Sequence, residues 1–427
     1  MKKTNSRHKL SIFFGLTTAM LLCILSLSLF GCEDSNEYAI VSENNLSKDG
    51  FYYTLYENNT AVITGYETPG KKTLSVPSKI GSSKVTAIGE GAFESYETLK
   101  YVELAEGIRA VEQNAFRGCT ALLRMDLAPT ITTIGDSAFE NCTMLCEVNY
   151  GSKLTVLGNS AFAGCISLSV FEIPETMETI GELCFSKCAS LPKAVLPKNI
   201  KTVGFGAFSN CDALTYVDLG GLKEVPASMF EKAESLLEID LDKQVTVIGE
   251  RAFRGAKNLA EVSLNKNITY IGNAAFETTP WLLKQTDEFV VVGDGILLKY
   301  NGKSPEVTIP RNVKIIADAF SGMNKLESIT IGAKVTKIAE YAFSGCTKLK
   351  TVTVSGKVTS VESCAFLGCV SLESVEFPET LVKIGDNAFG NCAALKTVTY
   401  NGPSENWYDI SIGKGNLYLQ SAEMIYR

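Results

Sequence analysis

Histidine is almost missing from this chain: its 427 residues contain one, His8. That residue lies in a leader expected to be removed, so the processed protein would have none. Ser-His and Cys-His nucleophile pairs, His-ligated zinc and imidazole acid-base catalysis are thereby excluded. No cluster of Lys and Arg interleaved with aromatics occurs, and the net charge of −7 becomes −11 once Lys2, Lys3, Arg7 and Lys9 leave with the leader. Such a surface repels phosphate backbones, so nucleic acid is not an expected partner. No pair of cysteines has CxxC spacing, which leaves a cysteine-held metal without support. Glycine-rich phosphate loops are also lacking, since "GFG" at 204–206 and "GKG" at 413–415 are too short to count. We nominate no catalytic residue, no metal ligand and no cofactor.

What is present begins with export. A basic stretch and an apolar run from Ser11 to Phe30 lead to "LFGC", in which Cys32 follows a small residue, Gly31. This resembles a bacterial lipoprotein signal, with residues 1–31 as signal peptide and Cys32 as the lipidated new N-terminus. The membrane would then be engaged through that lipid only. An uncleaved anchor and ordinary secretion are the competing readings, because the run is long enough to span a bilayer. Residues 32–50 are polar and suit a tether.

The rest of the chain repeats. Thirteen phenylalanines from Phe93 to Phe389, Phe116, Phe139 and Phe162 among them, stand 23 residues apart. The exceptions are one step of 22, Phe208 to Phe230, and one of 44, Phe276 to Phe320. A leucine follows six residues after every one of them. A fixed period of this length with leucine at a fixed offset is the sequence form of a leucine-rich repeat solenoid. About 13 repeats of 23 residues are expected over 76–400, each with a short parallel strand, a second extended segment and one helical turn at the Ala-Phe pair. "LKYVEL" supplies the strand, with Leu99, Val102 and Leu104 inward and Tyr101 and Glu103 outward.

Two ladders of side chains should fill the interior. One is the phenylalanine column. In the other, Cys119, Cys142, Cys165 and five more cysteines sit three residues after the phenylalanine, a slot elsewhere filled by Ala, Thr, Met or Tyr. Buried free cysteine packs as a small hydrophobe, and parallel thiols one rung apart are poorly placed to bridge. Reduced cysteines are therefore preferred over a disulfide framework. Gly135 and Asn141 read as turn formers.

The phrase "VTKIAEYAFSGCTKLKTVTV" at 335–354 closely resembles the repeat of BspA-like bacterial leucine-rich repeat proteins, and the likeness covers roughly 76–400. The resemblance implies a surface-exposed or secreted, adhesin-like protein that binds host matrix proteins or other microbes, and it brings no catalytic residues.

Departures from the period define the ends and one interruption. Residues 51–75 read as a hairpin cap, 401–427 as a C-terminal cap, and "DEFVVVGDGILLKYNG" as a hairpin inserted at about 285–305. Outward strand positions ten after the phenylalanine form the candidate binding face. They are acidic at Glu103, Asp126, Glu172, Asp218 and Asp240, and hydroxyl-bearing at Thr330, Thr353 and Thr399. The first stripe suits a basic partner and the second a sugar or extended peptide. Soluble strand-forming residues without a ligand are the plainer reading. The function expected is a lipid-anchored cell-surface module for extracellular proteins or glycans. The alternatives are an envelope spacer and, behind it, a carbohydrate-active enzyme.

Overall fold

The computed structural model describes residues 38–427 except Pro69 and Asp242. The leader and Cys32 lie outside the described residues. Among the described residues, no helix is long and apolar enough to cross a membrane.

The chain winds as a solenoid, and a turn lays down two strands and a run of turns, save at Val170, where the first strand is reduced to a single bridge to Glu147. The first strand of a rung has three to five residues, as at Tyr101–Leu104, Arg124–Asp126 and Glu147–Asn149, which pair in parallel at a 23-residue offset. These make a broad ladder. Val102 and Leu104 point inward and Tyr101 and Glu103 outward, as period-two alternation requires. The second strand is only two residues long, as at Ala110–Val111, Thr133–Ile134 and Val156–Leu157, and these make a narrow parallel ladder.

A third column forms around the Ala-Phe pairs. The helical turn expected there is a run of interlocked turns. An α-helix would send every N–H four residues back. Here the N–H groups of Ser137, Phe139 and Asn141 each donate across to the next rung, to Asn159, Ala161 and Ala163, all at 2.8 Å. The alternate N–H groups of Ala138, Glu140 and Cys142 close local turns onto Gly135, Ser137 and Phe139. This alternation requires positive φ on both sides of the phenylalanine, 54° at Ser137 and 60° at Asn141. The earlier of the two positions escapes sequence reasoning, because Leu183, Arg251 and Tyr341 also occupy it, at φ of 54°, 55° and 58°. Inter-rung bonds hold these residues in a conformation that costs about 1–2 kcal/mol each.

Gly135 has a different task from the turn role expected of it. Its φ is not positive; a Cβ there would lie 2.9 Å from Gln113 N and Glu112 C in the rung before. At Gly158 the same test gives 2.5 Å to Asp136 N. At these two positions the residue is glycine because the rungs meet backbone to backbone.

The interior is the aromatic stack. From Phe93 to Phe276 consecutive ring centroids lie 5.0–5.9 Å apart with planes within 18° of parallel, and Phe320 to Phe389 repeat the pattern. All eleven described cysteines are free thiols. The ladder thiols do more than pack: Cys119, Cys142 and Cys165 donate to the carbonyls of Phe93, Phe116 and Phe139, each at 3.1 Å. A small apolar group with one weak donor fits a slot that faces a carbonyl with a lone pair to spare, since each of these carbonyls already accepts one backbone N–H. Burial pushes the thiol pKa up, to about 12 at Cys211.

The ends differ from the boundaries expected. Ile40–Leu46, placed in the tether, is a strand that pairs antiparallel with Phe51–Tyr56, which turns back into Thr60–Tyr66. The N-terminal cap is thus three-stranded, and Tyr96, standing in the cysteine slot, donates its hydroxyl to Tyr66 O at 2.7 Å. At the other end, Ser411–Ile412 and Glu423–Tyr426 add one more strand to each ladder. Asn416 is buried there, and its side-chain oxygen accepts the Phe389 N–H at 2.9 Å that a further rung would otherwise take.

The 44-residue step contains the helix Pro280–Leu283 and an antiparallel hairpin of Phe289–Val292 with Ile296–Tyr300. The hairpin's second strand joins the narrow ladder through Ile315–Ile316. Two hydrophobic cores meet here, one running from Phe51 past Phe276 to Ile296, Leu298 and Ala317, and the other from Leu297 to the C-terminal cap. Asp318 splices the turn column across the gap: its carboxylate accepts the Ala274 N–H at 2.8 Å, in place of a backbone carbonyl.

Candidate binding face

The broad ladder brings the nominated acids and hydroxyls onto one face, and register decides which acids carry uncompensated charge. Asp126 is held by Arg124 at 2.9 Å, and Asn149 donates to it at 2.7 Å. Glu172 is held by Lys193 at 3.0 Å. Both cations sit on the same face, two residues earlier along their strands. These acids, chosen from one column, are neutralised by the neighbouring column. Glu103 is exposed at the N-terminal end of the row.

Asp218 and Asp240 lie where the ladder opens. Tyr216–Asp218 pairs only with Lys193–Val195, and Glu238–Leu241 pairs only with Glu261–Leu264. The narrow ladder breaks at the same level, after Thr202–Val203. The cause is the 22-residue step. The turn column stays bonded across it, through Phe208 N–H to Met229 O at 3.0 Å, while Phe208 and Phe230 form the widest pair in the stack, at 5.9 Å. With one residue fewer, the rungs remain hinged at the phenylalanine side and splay on the strand side. Gly220, at φ of 56°, turns the chain there, and its N–H is capped by Asp218 Oδ1 at 2.9 Å.

The splay leaves a cleft of ≈ 400 Å³ on the outer face. Four exposed carboxylates line it: Asp218, Glu238, Asp240 and Glu261. Among the described residues none of the four has an ion-pair partner. Glu238 and Glu261 are direct neighbours across paired strands, so like charges stand side by side. Tyr216, 56% exposed, forms one wall. Sequence reasoning missed Glu238, Glu261 and Tyr216, although they stand two residues before Asp240, Ser263 and Asp218 and so share their face.

The hydroxyl zone is assembled too. Ser328, Thr351, Ser374 and Thr397 align in one row, and Thr330, Thr353, Glu376 and Thr399 in the next. Thr330, Thr353 and Thr399 are half-buried on a flat sheet. Glu376 breaks the row and is held by Asn401 at 2.8 Å. Among the described residues no group of three or more His, Cys, Asp or Glu side chains is placed to hold a metal ion.

A leucine-rich repeat protein from Bacteroides ovatus is similar in fold, with 20% identity and a TM-score of 0.50, over 90% of this chain and all of that one. A leucine-rich cell surface protein from Faecalibacterium prausnitzii shares 23% identity over 88% of this chain and 98% of its own, at a TM-score of 0.41. The T. pallidum leucine-rich repeat protein shares 26% identity over 56% of this chain and 90% of its own, at 0.36. No curated protein matches the chain. The model of the BspA type leucine rich repeat region matches residues 71–192, 178–286 and 298–411. With most of its length matched, the chain belongs to the BspA-type leucine-rich repeat family.

Proposed function

We propose that this protein is a non-enzymatic binding module, displayed at the bacterial cell envelope on a lipid at Cys32, that docks a cationic stretch of an extracellular macromolecule on its broad ladder. The observation that carries the reading is the cleft at the 22-residue step, where Asp218, Glu238, Asp240 and Glu261 converge without counter-charges beside an exposed Tyr216. Lys or Arg side chains meet carboxylates there, and the phenol ring adds a cation–π surface worth about 0.5–1 kcal/mol. An open, strand-lined cleft suits an extended segment better than a small substrate. Family membership supports a protein-interaction role, and the printed description of the Faecalibacterium protein as a cell surface protein supports the location. An adhesin acting on host matrix or microbial surfaces fits both.

Binding of the exported chain, as a lipid-free ectodomain starting after Cys32, to matrix proteins and microbial surfaces tests the reading. Retention of a basic partner that falls steeply between low and physiological salt is expected. Failure to retain any such surface would leave the envelope spacer as the better description. Growth of cells in lipid label should mark the wild-type chain and leave Cys32→Ser unmarked.

A further inference from the structure

A second cleft, of ≈ 610 Å³, opens on another side of the molecule, beside the insertion where the turn column passes from Phe276 to Phe320. That volume lies within the range of small-molecule sites, about 300–1,000 Å³. One wall is apolar: Leu298 is buried, Leu282 is half-buried, and Leu283 is 67% exposed. An exposed leucine at the rim of a concave surface is apolar area left for something else to cover.

The remaining lining includes three cations. Arg251, Arg254 and Lys299 face two carboxylates, Glu277 and Asp318, in a chain whose formal charge is −7. The two carboxylates leave Lys299 without an ion-pair partner among the described residues. Asp318 is committed to the Ala274 N–H. Glu277 stands 3.9 Å from Arg254, which also contacts Glu231 at 3.2 Å. Lys299 meets only the carbonyls of Leu282 and Gln285, at 3.1 and 3.4 Å. Arg251 has a single carboxylate contact, to Glu250 at 3.2 Å, and keeps further donors for a ligand.

We propose that this cleft binds an amphipathic anion, an unbranched apolar chain ending in one carboxylate, with the chain laid on Leu282, Leu283 and Leu298 and the carboxylate held by Arg251 and Lys299. The charge selects the headgroup, and the leucines select the tail. The site is independent of the acidic cleft on the broad ladder.

Trp281, on the helix that supplies Leu282 and Leu283, packs against Phe276 at 4.7 Å and reports occupancy by fluorescence. The full chain is titrated with dodecanoate, dodecylammonium and dodecanol below their micelle concentrations. Saturable one-to-one binding of dodecanoate, about tenfold or more tighter than the other two, is expected from one charge-assisted contact. Arg251→Asn suits the positive φ of 55° while removing the charge, and it should weaken dodecanoate by about five- to tenfold with the fold unchanged. Leu283→Ser should weaken all three probes, and Trp281→Phe should remove the optical signal but not calorimetric binding. Equal affinity for the three headgroups, or dodecanoate binding indifferent to both Arg251→Asn and Leu283→Ser, would overturn the proposal.

Discussion

Phe139→Ala tests the aromatic stack at its most regular point. The ring is fully buried and lies 5.3 Å from Phe116 and 5.2 Å from Phe162, with planes parallel to within 5°. Truncation removes its burial, leaves a cavity between two rungs held by backbone bonds, and ends two ring contacts. The expected loss is about 3–5 kcal/mol, most of it the transfer and cavity cost. Phe139→Leu keeps much of the volume and should lose about 1–1.5 kcal/mol. The two tryptophans allow the loss to be located. Trp281 packs against the first core and Trp407 belongs to the second. Because a solenoid couples neighbours most strongly, urea unfolding should show a larger midpoint shift at Trp281 than at Trp407 for Phe139→Ala, and the reverse for Phe366→Ala. Single-tryptophan backgrounds separate the signals. A loss below about 1 kcal/mol for Phe139→Ala, or identical shifts at both reporters for both variants, would refute a stacked interior divided at the insertion.

Other outcomes follow from the same geometry. Iodoacetamide should label the half-buried Cys146 and Cys364 in the folded protein and spare Cys119, Cys142 and Cys165 until the chain is unfolded, as mass spectrometry can read. Gly158→Ala should cost about 1–3 kcal/mol or more, because its Cβ would press on the Asp136 backbone and the rungs must part. Burial raises the carboxyl pKa of Asp318, so the folded state holds a proton that the unfolded chain has released, and stability falls as pH rises through the raised value. Asp318→Asn keeps an acceptor for Ala274 without the charge. It should therefore melt above wild type at neutral pH, and the gap should close as pH falls toward 4.

The period and the phenylalanine and cysteine columns were legible in the sequence, because each slot of a rung favours one kind of side chain; Gly135 was visible as a glycine, but its close approach to the rung before was not. The conformation two residues before each phenylalanine was not. Inter-rung hydrogen bonds impose it, so Ser137, Leu183 and Arg251 share a φ without sharing chemistry. The strand at Ile40–Leu46 was hidden because it buries no residue fully, so no alternation marks it, and it is held by its partner strand rather than by a core. The missing residue between Phe208 and Phe230 was visible as a number, but its consequence, a hinge that stays closed on one side and opens on the other, needs the three columns in space. Charge pairing was hidden for a related reason. Asp126 and Asp240 look alike in one column of the repeats, but Arg124 stands two residues before one and Glu238 before the other, and the register adds Glu261 beside Glu238.

The proposed role of the uncompensated acids in the splayed rung is to hold a cationic segment. Calorimetric titration with an extended Lys/Arg-rich peptide, comparing the wild-type chain with a variant carrying Asp218→Asn, Glu238→Gln, Asp240→Asn and Glu261→Gln, tests it most directly. At about 0.5 kcal/mol per exposed pair the four changes should remove about 2 kcal/mol, a roughly thirtyfold loss of affinity, and flatten the salt dependence. The paired acids serve as the control, since Asp126→Asn with Glu172→Gln should change affinity less than about threefold. Peptide binding of equal strength to the four-site variant and the wild type would rule that role out.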